Sequence, residues 1–365
     1  MTDPVDLVPP WIRTLAPYAP GKPIEELERE LGIRDSIKLA SNENPLGPSP
    51  KALAAIAAAL PDLHRYPDGS AFHLKRRLAE RLRVAPEELV LGNGSNELIE
   101  LLVHTFLRPG DEAVMADQAF VIYRLVVQAA GGTSRIVPLR DFTHDLEAIA
   151  TAIGPHTRLV FLANPNNPTG TIFRRAAWER FLGRVPRDVL VVADDAYAEY
   201  VEDPEYPDTV HERGDGSVTV VTLRTFSKLY GLAGLRLGYA IAPAAVAETL
   251  ERVRQPFNVN ALALVGALAA LDDDEHVGRT LAANRAGMAY LVRAFEGLGL
   301  PHVPSAANFV LLRVGDGART YEALLRRGVI VRAMGGYGFP EHVRVTVGTT
   351  AENERLVAAL RAVLA

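Results

Sequence analysis

The sequence predicts an α/β protein in which helices cover both faces of a mostly parallel sheet, followed by a smaller α+β domain. Three largely apolar segments, each followed by a helical pattern, are long enough for buried strands: 158–163, 189–193 and 218–223. Continuous apolar strands that alternate with helices are typical of parallel sheets buried on both faces. The smaller domain is predicted from strands at 309–314 and 344–347, which flank a helix at 321–327.

Length and composition fit a globular protein of about two domains. The chain has 365 residues, of which 48% are hydrophobic and 23% charged. Its net charge of −5 argues against nucleic-acid binding, and the absence of cysteine excludes disulfides and cysteine-bound metals. The longest apolar run, 261–271, is too short to cross a bilayer. We therefore expect a cytoplasmic protein with no metal and with neither a membrane nor a nucleic acid as partner.

The most reactive chemistry is predicted in the segment 218–238. An apolar, β-branched run ends at Thr225, Ser227 and Lys228, and Arg236 follows. A lysine beside an apolar run can be partly desolvated, which lowers its pKa and exposes a nucleophilic amine. Hydroxyls and a guanidinium nearby suit a phosphate dianion. Such a group fits a Schiff-base site for pyridoxal phosphate (PLP), although this segment alone favours an exposed lysine after an edge strand, because short Ser/Lys strings are common.

A second phosphate-binding feature is predicted after the short strand 89–91. A G-N-G turn precedes Ser95 and Asn96, and the apolar pattern of a helix begins at 98. Backbone N–H groups at a helix N-terminus bind phosphate. The pattern is G-x-G-x-x-E and lacks the third glycine of the dinucleotide motif, so it favours an isolated phosphate. A tight turn without a ligand is the alternative.

Polar and aromatic side chains mark other strand ends. Asn167 lies in the string N-P-N-N-P-T-G, whose prolines restrict the backbone. Asp194 and Asp195 follow a buried strand, where a carboxylate needs a cation such as a protonated pyridine nitrogen. A helix N-cap is the alternative, and Asp195 fits it better than Asp194. Phe120 is either a core residue or a ring that stacks on a planar cofactor. Because parallel strands end at one edge, we expect these groups to converge.

Three further residues are ambiguous from local sequence. Arg344 lies in an otherwise β-branched strand, where it either grips a carboxylate with both nitrogens or faces outward. Tyr18 lies in a proline-rich turn and serves either packing or an active site. Tyr66 lies in the loop H-R-Y-P-D-G, and nothing local assigns it a function.

Together these motifs resemble those of the fold-type I PLP-dependent aminotransferases, and most of all the histidinol-phosphate aminotransferases. The motifs occur in that family's order: NENPLG, RYPDG, GNGSNE, NPNNPTG, DDAY, RTFSK with Arg236, and HVRVTVGT. The resemblance covers nearly the whole chain. It implies an aspartate aminotransferase-like large domain at 46–255, a small domain at 256–365, and an N-terminal arm at 1–45 that joins the small domain.

The resemblance implies how the chain would hold and use PLP. Lys228 would bind the cofactor covalently and carry the proton to and from the substrate Cα, while Asp194 would keep the pyridine nitrogen protonated. Asn167 and Tyr197 would hydrogen-bond the ring oxygen, and Phe120 would stack on the ring. The phosphate ligands would be Ser95, Asn96, Thr225, Ser227, Arg236 and, from a neighbouring subunit, Tyr66.

The resemblance also implies the substrates and the assembly. Arg344 would bind the substrate carboxylate, and Arg332 and Tyr18 would contact the distal end of the substrate. The expected reaction is ping-pong transfer of the amino group of histidinol phosphate to 2-oxoglutarate, in a homodimer with shared active sites. Leu46 departs from the family pattern, since many relatives have tyrosine there, and the segment AMGGYGFPEH resembles one branch of the family that acts on aromatic amino acids. An aromatic aminotransferase and a threonine-phosphate decarboxylase are therefore the alternatives.

Overall fold

The computed structural model describes residues 3–18, 20–212, 216 and 218–364, and these form three sheets surrounded by helices. The α-helices in this part of the chain are α1 (Pro10–Arg13), α2 (Ile24–Leu31), α3 (Pro50–Ala59), α4 (Phe72–Leu82), α5 (Ser95–Phe106), α6 (Ile122–Ala129), α7 (Leu146–Ala152), α8 (Arg175–Leu182), α9 (Ala244–Val253), α10 (Ala261–Leu271), α11 (Asp274–Gly297), α12 (Gly317–Leu325) and α13 (Thr350–Leu364).

The described residues also contain short 3₁₀ turns and thirteen strands. The 3₁₀ turns are Pro4–Leu7, Leu60–Asp62, Pro86–Glu88, Ala198–Tyr200, Ala233–Leu235 and Gly335–Tyr337. The strands are β1 (Ile37–Lys38), β2 (Leu89–Gly92), β3 (Glu112–Ala116), β4 (Thr133–Val137), β5 (Thr157–Ala163), β6 (Leu190–Asp194), β7 (Thr219–Thr225), β8 (Gly238–Ile241), β9 (His302–Val303), β10 (Phe309–Arg313), β11 (Val329–Ile330), β12 (Arg332–Ala333) and β13 (His342–Thr346).

The central sheet has seven strands in the order β2-β8-β7-β6-β5-β3-β4. Its strands run parallel except that β8 is antiparallel to both of its neighbours. Alternate side chains of β5 enter different cores: Leu159 and Phe161 pack with residues of α5 and α6, whereas Val160 and Leu162 pack with residues of α7 and α8. This alternation explains why strands buried on both faces are continuously apolar. The predicted α/β class and mostly parallel sheet are confirmed.

Two smaller sheets accompany the central one. Strands β12, β13, β10 and β9 form an antiparallel sheet, and β1 pairs in parallel with β11. The β1–β11 pair joins the N-terminal part of the chain to its C-terminal part, because Ile37 aligns with Val329. Leu291 and Phe295 of α11 and Leu356 of α13 pack in one core with the four-stranded sheet.

The structure corrects one predicted boundary and defines others. The apolar pattern predicted a helix from 98, but α5 begins at Ser95, because its first turn is polar and carries no apolar periodicity. The two short strands β11 and β12 are separated by Val331 and pair in different sheets. Helix α11 begins after Asp273, whose side chain caps it.

No helix of the described residues has the length and apolar character needed to cross a membrane. No group of three or more potential metal-ligating side chains occurs in that part of the chain either.

Glycine at 238 permits close contact between β8 and the start of α5. A Cβ added there would lie 2.5 Å from Ser95 N and 2.8 Å from the carbonyl carbon of Gly94, both backbone atoms that cannot rotate away. We expect Gly238→Ala to destabilise the fold by about 1–3 kcal/mol, as overpacking does. Urea unfolding of the purified variant measures this effect.

Gly278 provides the matched control, since it lies on an exposed part of α11 and an added Cβ would meet nothing within 4 Å. Alanine is the better helix former, so Gly278→Ala should stabilise the fold by about 0.5–1 kcal/mol. Equal unfolding midpoints for the two variants would contradict the predicted contact.

Candidate active site

A cavity of about 410 Å³ lies at the carboxyl ends of β5, β6 and β7. It is also lined by residues of β12 and β13, so the central and the four-stranded sheets both contribute side chains. All predicted site residues except Tyr66 line this cavity: Tyr18, Ser95, Asn96, Phe120, Asn167, Asp194, Tyr197, Thr225, Ser227, Lys228, Arg236, Arg332 and Arg344. The expected convergence of the strand ends is therefore observed.

The register of the sheet accounts for this convergence. Asp194, the last residue of β6, is paired with Ala163 at the end of β5 and with Leu223 near the end of β7. The chain leaves β5 into the N-P-N-N-P-T-G string and leaves β7 into Thr225, Ser227 and Lys228. Parallel strands in register thus bring amide, carboxylate, hydroxyl and amine groups to the same edge.

Asp194 is a buried carboxylate whose contacts are all with neutral groups. Only 6% of the residue is exposed, Tyr123 Oη donates a hydrogen bond to its Oδ2 at 2.5 Å, and Ala196 N donates to Oδ1 at 3.3 Å. Burial raises the pKa of this carboxyl, and the Tyr123 hydrogen bond opposes that rise. No salt bridge to Asp194 is found among the described residues, and the more distant charge of Lys228 lowers the pKa of the carboxyl less than its hydrogen bonds do. A cation in the cavity would supply the missing charge.

The neighbouring Asp195 has a different environment. Its Oδ2 accepts a hydrogen bond from Thr209 Oγ1 at 2.7 Å and lies 3.7 Å from Arg224 Nη2. The N-cap interpretation of Asp195 is therefore wrong, because its side chain contacts a hydroxyl and a guanidinium rather than a helix terminus. Burial raises the pKa of Asp195 to about 7 in spite of Arg224.

Lys228 is poised as a nucleophile. Its Nζ donates a hydrogen bond to the carbonyl oxygen of Ser41 at 3.1 Å and lies 5.7 Å from the centre of the Tyr197 ring. Desolvation lowers the pKa of the amine to about 8, and the positive charge of Arg344 acts in the same direction. A larger share of the amine is therefore uncharged at neutral pH than for an ordinary lysine, and the uncharged form is the one that attacks a carbonyl carbon.

The start of α5 forms an anion cradle with the end of β7. Gly94 adopts φ 77°, and a Cβ there would lie 2.3 Å from Arg236 Nη2, so only glycine allows the guanidinium to lie across this turn. Arg236 Nη1 donates to Ser227 Oγ at 3.4 Å. With Ser95 and Thr225 also at the cavity wall, hydroxyls, a guanidinium and a helix N-terminus face one space. This set of donors fits a phosphate.

Arg344 is buried rather than outward-facing, so the outward interpretation is wrong. Only 6% of the residue is exposed, and its guanidinium donates to Asn167 Oδ1 and, at 2.6 Å, to the carbonyl oxygen of Ala40. It also lies over the ring of Phe309, at 5.2 Å from the centroid. Its Nε has no partner among the described residues. A fixed guanidinium with a free donor can bind an anionic substrate group.

The other predicted substrate residues lie further along the cavity. The guanidinium carbon of Arg332 is 5.8 Å from the ring centre of Tyr18, and Tyr18 is 45% exposed. Tyr66 is different, since it does not line the cavity of its own chain, is 82% exposed and stacks on Phe257 with ring centres 4.8 Å apart.

Sequence reasoning missed three residues that the cavity contains. Tyr123 hydrogen-bonds Asp194, Asn42 Nδ2 donates to Tyr197 Oη at 2.8 Å, and Tyr337 lines the wall. Tyr123 had a detectable signal, because a tyrosine in the apolar stripe of a helix needs a partner for its hydroxyl. Asn42 and Tyr337 lie in loops whose paths the sequence does not determine.

Comparisons with known proteins show the family to which the chain belongs. The family described as "Aminotransferase class I and II" matches residues 34–360. Histidinol-phosphate aminotransferase of Moorella thermoacetica is 50% identical over 100% of this chain and 95% of its own length. Histidinol-phosphate aminotransferase 2 of Pseudomonas aeruginosa is 52% identical over 100% of both chains.

Solved structures extend the likeness to three dimensions. Histidinol-phosphate aminotransferase from Sinorhizobium meliloti in complex with pyridoxal-5'-phosphate matches with a TM-score of 0.89 and 29% identity, over 97% of this chain and 96% of that one. A single mutant of Thermus thermophilus aspartate aminotransferase matches with a TM-score of 0.84 and 25% identity, over 98% of both chains. The predicted resemblance and enzyme class are confirmed, and the chain belongs to the class I and II aminotransferases.

Proposed function

We propose that this aminotransferase transfers the amino group of histidinol phosphate to 2-oxoglutarate, giving imidazole acetol phosphate and glutamate, with PLP as its cofactor. The observation that carries the proposal is the joint placement of Asp194, Lys228 and the anion cradle around one cavity. The substrate follows from full-length relatives of about 50% identity that are named for this activity. A cytoplasmic location stays a prediction from the sequence.

The residues of the cavity fit PLP at three points. The cradle of Ser95, Ser227 and Arg236 suits its phosphate, Lys228 offers an amine for covalent attachment, and Asp194 offers a buried carboxylate that lacks a cation. When bound, PLP supplies an electron sink for the charge left as Cα loses its proton. Asn167 and Tyr197 would hydrogen-bond its ring oxygen, and Phe120 would stack on the ring.

The chain's own residues then handle the proton and the substrate. Lys228, with its lowered pKa, is suited to take a proton from the substrate Cα and to return it, because its uncharged form is accessible near neutral pH. Arg344 is suited to hold either a carboxylate or a phosphate, since its planar fork matches both. Arg332 and Tyr18 lie where the opposite end of the substrate would reach.

An aromatic amino donor is the second candidate. Tyr337 from the segment AMGGYGFPEH lines the cavity and would contact an aromatic ring. The departure at Leu46 gives this candidate little support, because Leu46 does not line the cavity of its own chain.

We also propose a homodimer with shared active sites. Tyr66 is highly exposed and stacks on the exposed ring of Phe257, an arrangement typical of an interface. Other exposed apolar side chains lie at nearby sequence positions, namely Leu46, Leu53, Leu60, Leu63 and Phe72. A second copy of the chain would cover this patch and bring Tyr66 to the partner's phosphate cradle.

The proposed domain bounds, 46–255 and 256–365 with the arm 1–45, are supported by the three sheets. The central sheet uses only strands between Leu89 and Ile241, and the β1–β11 pair attaches the arm to C-terminal residues.

The substrate is tested by mixing the holoenzyme with single amino donors and following the cofactor's absorbance. We expect the fastest change with histidinol phosphate, and turnover only when 2-oxoglutarate is added. Lys228→Ala should abolish turnover because the amine is lost, whereas the exposed Lys51→Ala should leave it unchanged. A faster change with phenylalanine or tyrosine would favour the aromatic alternative, and CO₂ release from phosphothreonine would favour a decarboxylase.

The pH dependence of cofactor attachment tests the state of Lys228. Cofactor-free protein is mixed briefly with PLP from about pH 6 to about pH 10, and the attached fraction is trapped with borohydride. Since the pKa is lowered to about 8, half of the amine is uncharged at that pH, and the uncharged fraction levels off only about one to two pH units above it. The trapped amount should follow this curve. A midpoint near 10, as for an ordinary lysine, would contradict the desolvated site.

Hybrid dimers test the shared site. When Tyr66→Ala and Lys228→Ala chains are refolded together, about half of the dimers are hybrids with one intact site, so activity should recover to about a quarter of the wild-type value. Mixing Asp194→Ala with Lys228→Ala should restore nothing, because both defects lie in a chain's own cavity and every site keeps one. Equal behaviour of the two mixtures would exclude sharing through Tyr66.

A further inference from the structure

The two carboxylate oxygens of Asp194 have unequal surroundings. Oδ2 accepts a short hydrogen bond of 2.5 Å from Tyr123 Oη, whereas Oδ1 accepts only a longer one of 3.3 Å from Ala196 N. The oxygens are equivalent in a free carboxylate, so the protein itself makes the distinction. One oxygen is occupied by a strong donor, and the other keeps most of its capacity to accept.

Tyr123 is fixed in place more firmly than its hydroxyl alone would require. It is fully buried in α6, and its ring stacks on Phe161 of β5 with centres 4.8 Å apart and planes 12° apart. Its other side meets Phe120 edge-on at 5.7 Å. Packing on two sides leaves the hydroxyl one position, against Asp194. Burial and the nearby carboxylate raise the pKa of Tyr123 well above its usual range, so the hydroxyl remains a donor.

We propose that Tyr123 is a positioning residue that keeps Asp194 ionised and leaves Oδ1 as the oxygen available to the ring nitrogen of the cofactor. This inference rests on the proposed PLP function. A carboxylate removed from water becomes more basic, and in this site it could take the proton from the ring nitrogen instead of stabilising it there. A hydroxyl donor counteracts this by binding the charged form more strongly than the neutral one.

The size of the effect follows from the strength of such bonds. A hydrogen bond to a charged group changes the acid dissociation constant of that group by about tenfold or more. Without the hydroxyl, Asp194 should compete for the proton, and the ring nitrogen should be protonated in a smaller fraction of molecules. A purely structural role of Tyr123, in which the aspartate merely satisfies a buried hydroxyl, makes no such change.

The test compares the holoenzyme of Tyr123→Phe with wild type and with Tyr239→Phe. Tyr239 is also a buried tyrosine of the central sheet, at 3% exposure, but it makes no hydrogen bond to Asp194. The proteins are loaded with PLP carrying ¹⁵N in the ring. In Tyr123→Phe the ¹⁵N signal should move toward the value of an unprotonated pyridine, and the pKa of the cofactor's visible band should rise. Half-reaction rates should fall about tenfold. Tyr239→Phe should match wild type in all three.

A second variant separates donor strength from packing. Replacing Tyr123 by 3-fluorotyrosine keeps the ring and makes the phenol a stronger donor, so the ¹⁵N signal should move in the opposite direction. This substitution remains informative even if Tyr123→Phe fails to fold or to bind cofactor. Unchanged ¹⁵N signals in a variant that binds PLP normally would overturn the role of Tyr123. Failure of the wild-type chain to bind PLP at all would instead overturn the proposed function.

Discussion

The buried carboxylate of Asp194 is the constraint on which the rest of the site depends. A charge this deep is costly unless something compensates for it, and the contacts that the protein provides are neutral. A cation that binds in the cavity at the end of β6 would offset this cost. The amine of Lys228 borders the same cavity, and burial lowers its pKa to about 8. The same buried edge of the sheet therefore holds a carboxylate that can pair with a cation and an amine that can act as a base.

The smaller sheets complete this edge rather than form a separate site. Arg344 from β13 contacts Asn167, which follows β5 of the central sheet, so these two side chains hold each other in place. The N-terminal part of the chain also takes part, because the Arg344 guanidinium donates to Ala40 O and Lys228 Nζ donates to Ser41 O. The cavity is thus built from three distant parts of the sequence, each of which supplies a partner for another.

Much of this arrangement could be predicted, and the reason is physical. The strands of the central sheet can be recognised in the sequence from their apolar runs. Their parallel register then brings Asn167, Asp194 and Lys228 together, and this can be predicted before any individual contact is known. What could not be predicted depends on side-chain geometry. The partner of Asp194 is a tyrosine of α6, and the helix pattern alone shows only that Tyr123 is buried. β11 and β12 are separate strands because β11 pairs with β1 and β12 pairs with β13, and no local sequence pattern encodes these pairings.

The adjacent carboxylates of Asp194 and Asp195 show how one strand end produces two different acids. Leu190 and Val192 of β6 face the core that contains Tyr123, so alternation places Asp194 on that side. Asp195 is on the other side, where Arg224 and Thr209 already provide a charge and a donor. Of the two carboxylates, Asp194 is therefore the one that lacks a cationic partner. The composition of D-D-A-Y does not show which aspartate has which role. The alternation of side chains along a strand does, because it places one carboxylate beside the arginine and the other toward the cavity.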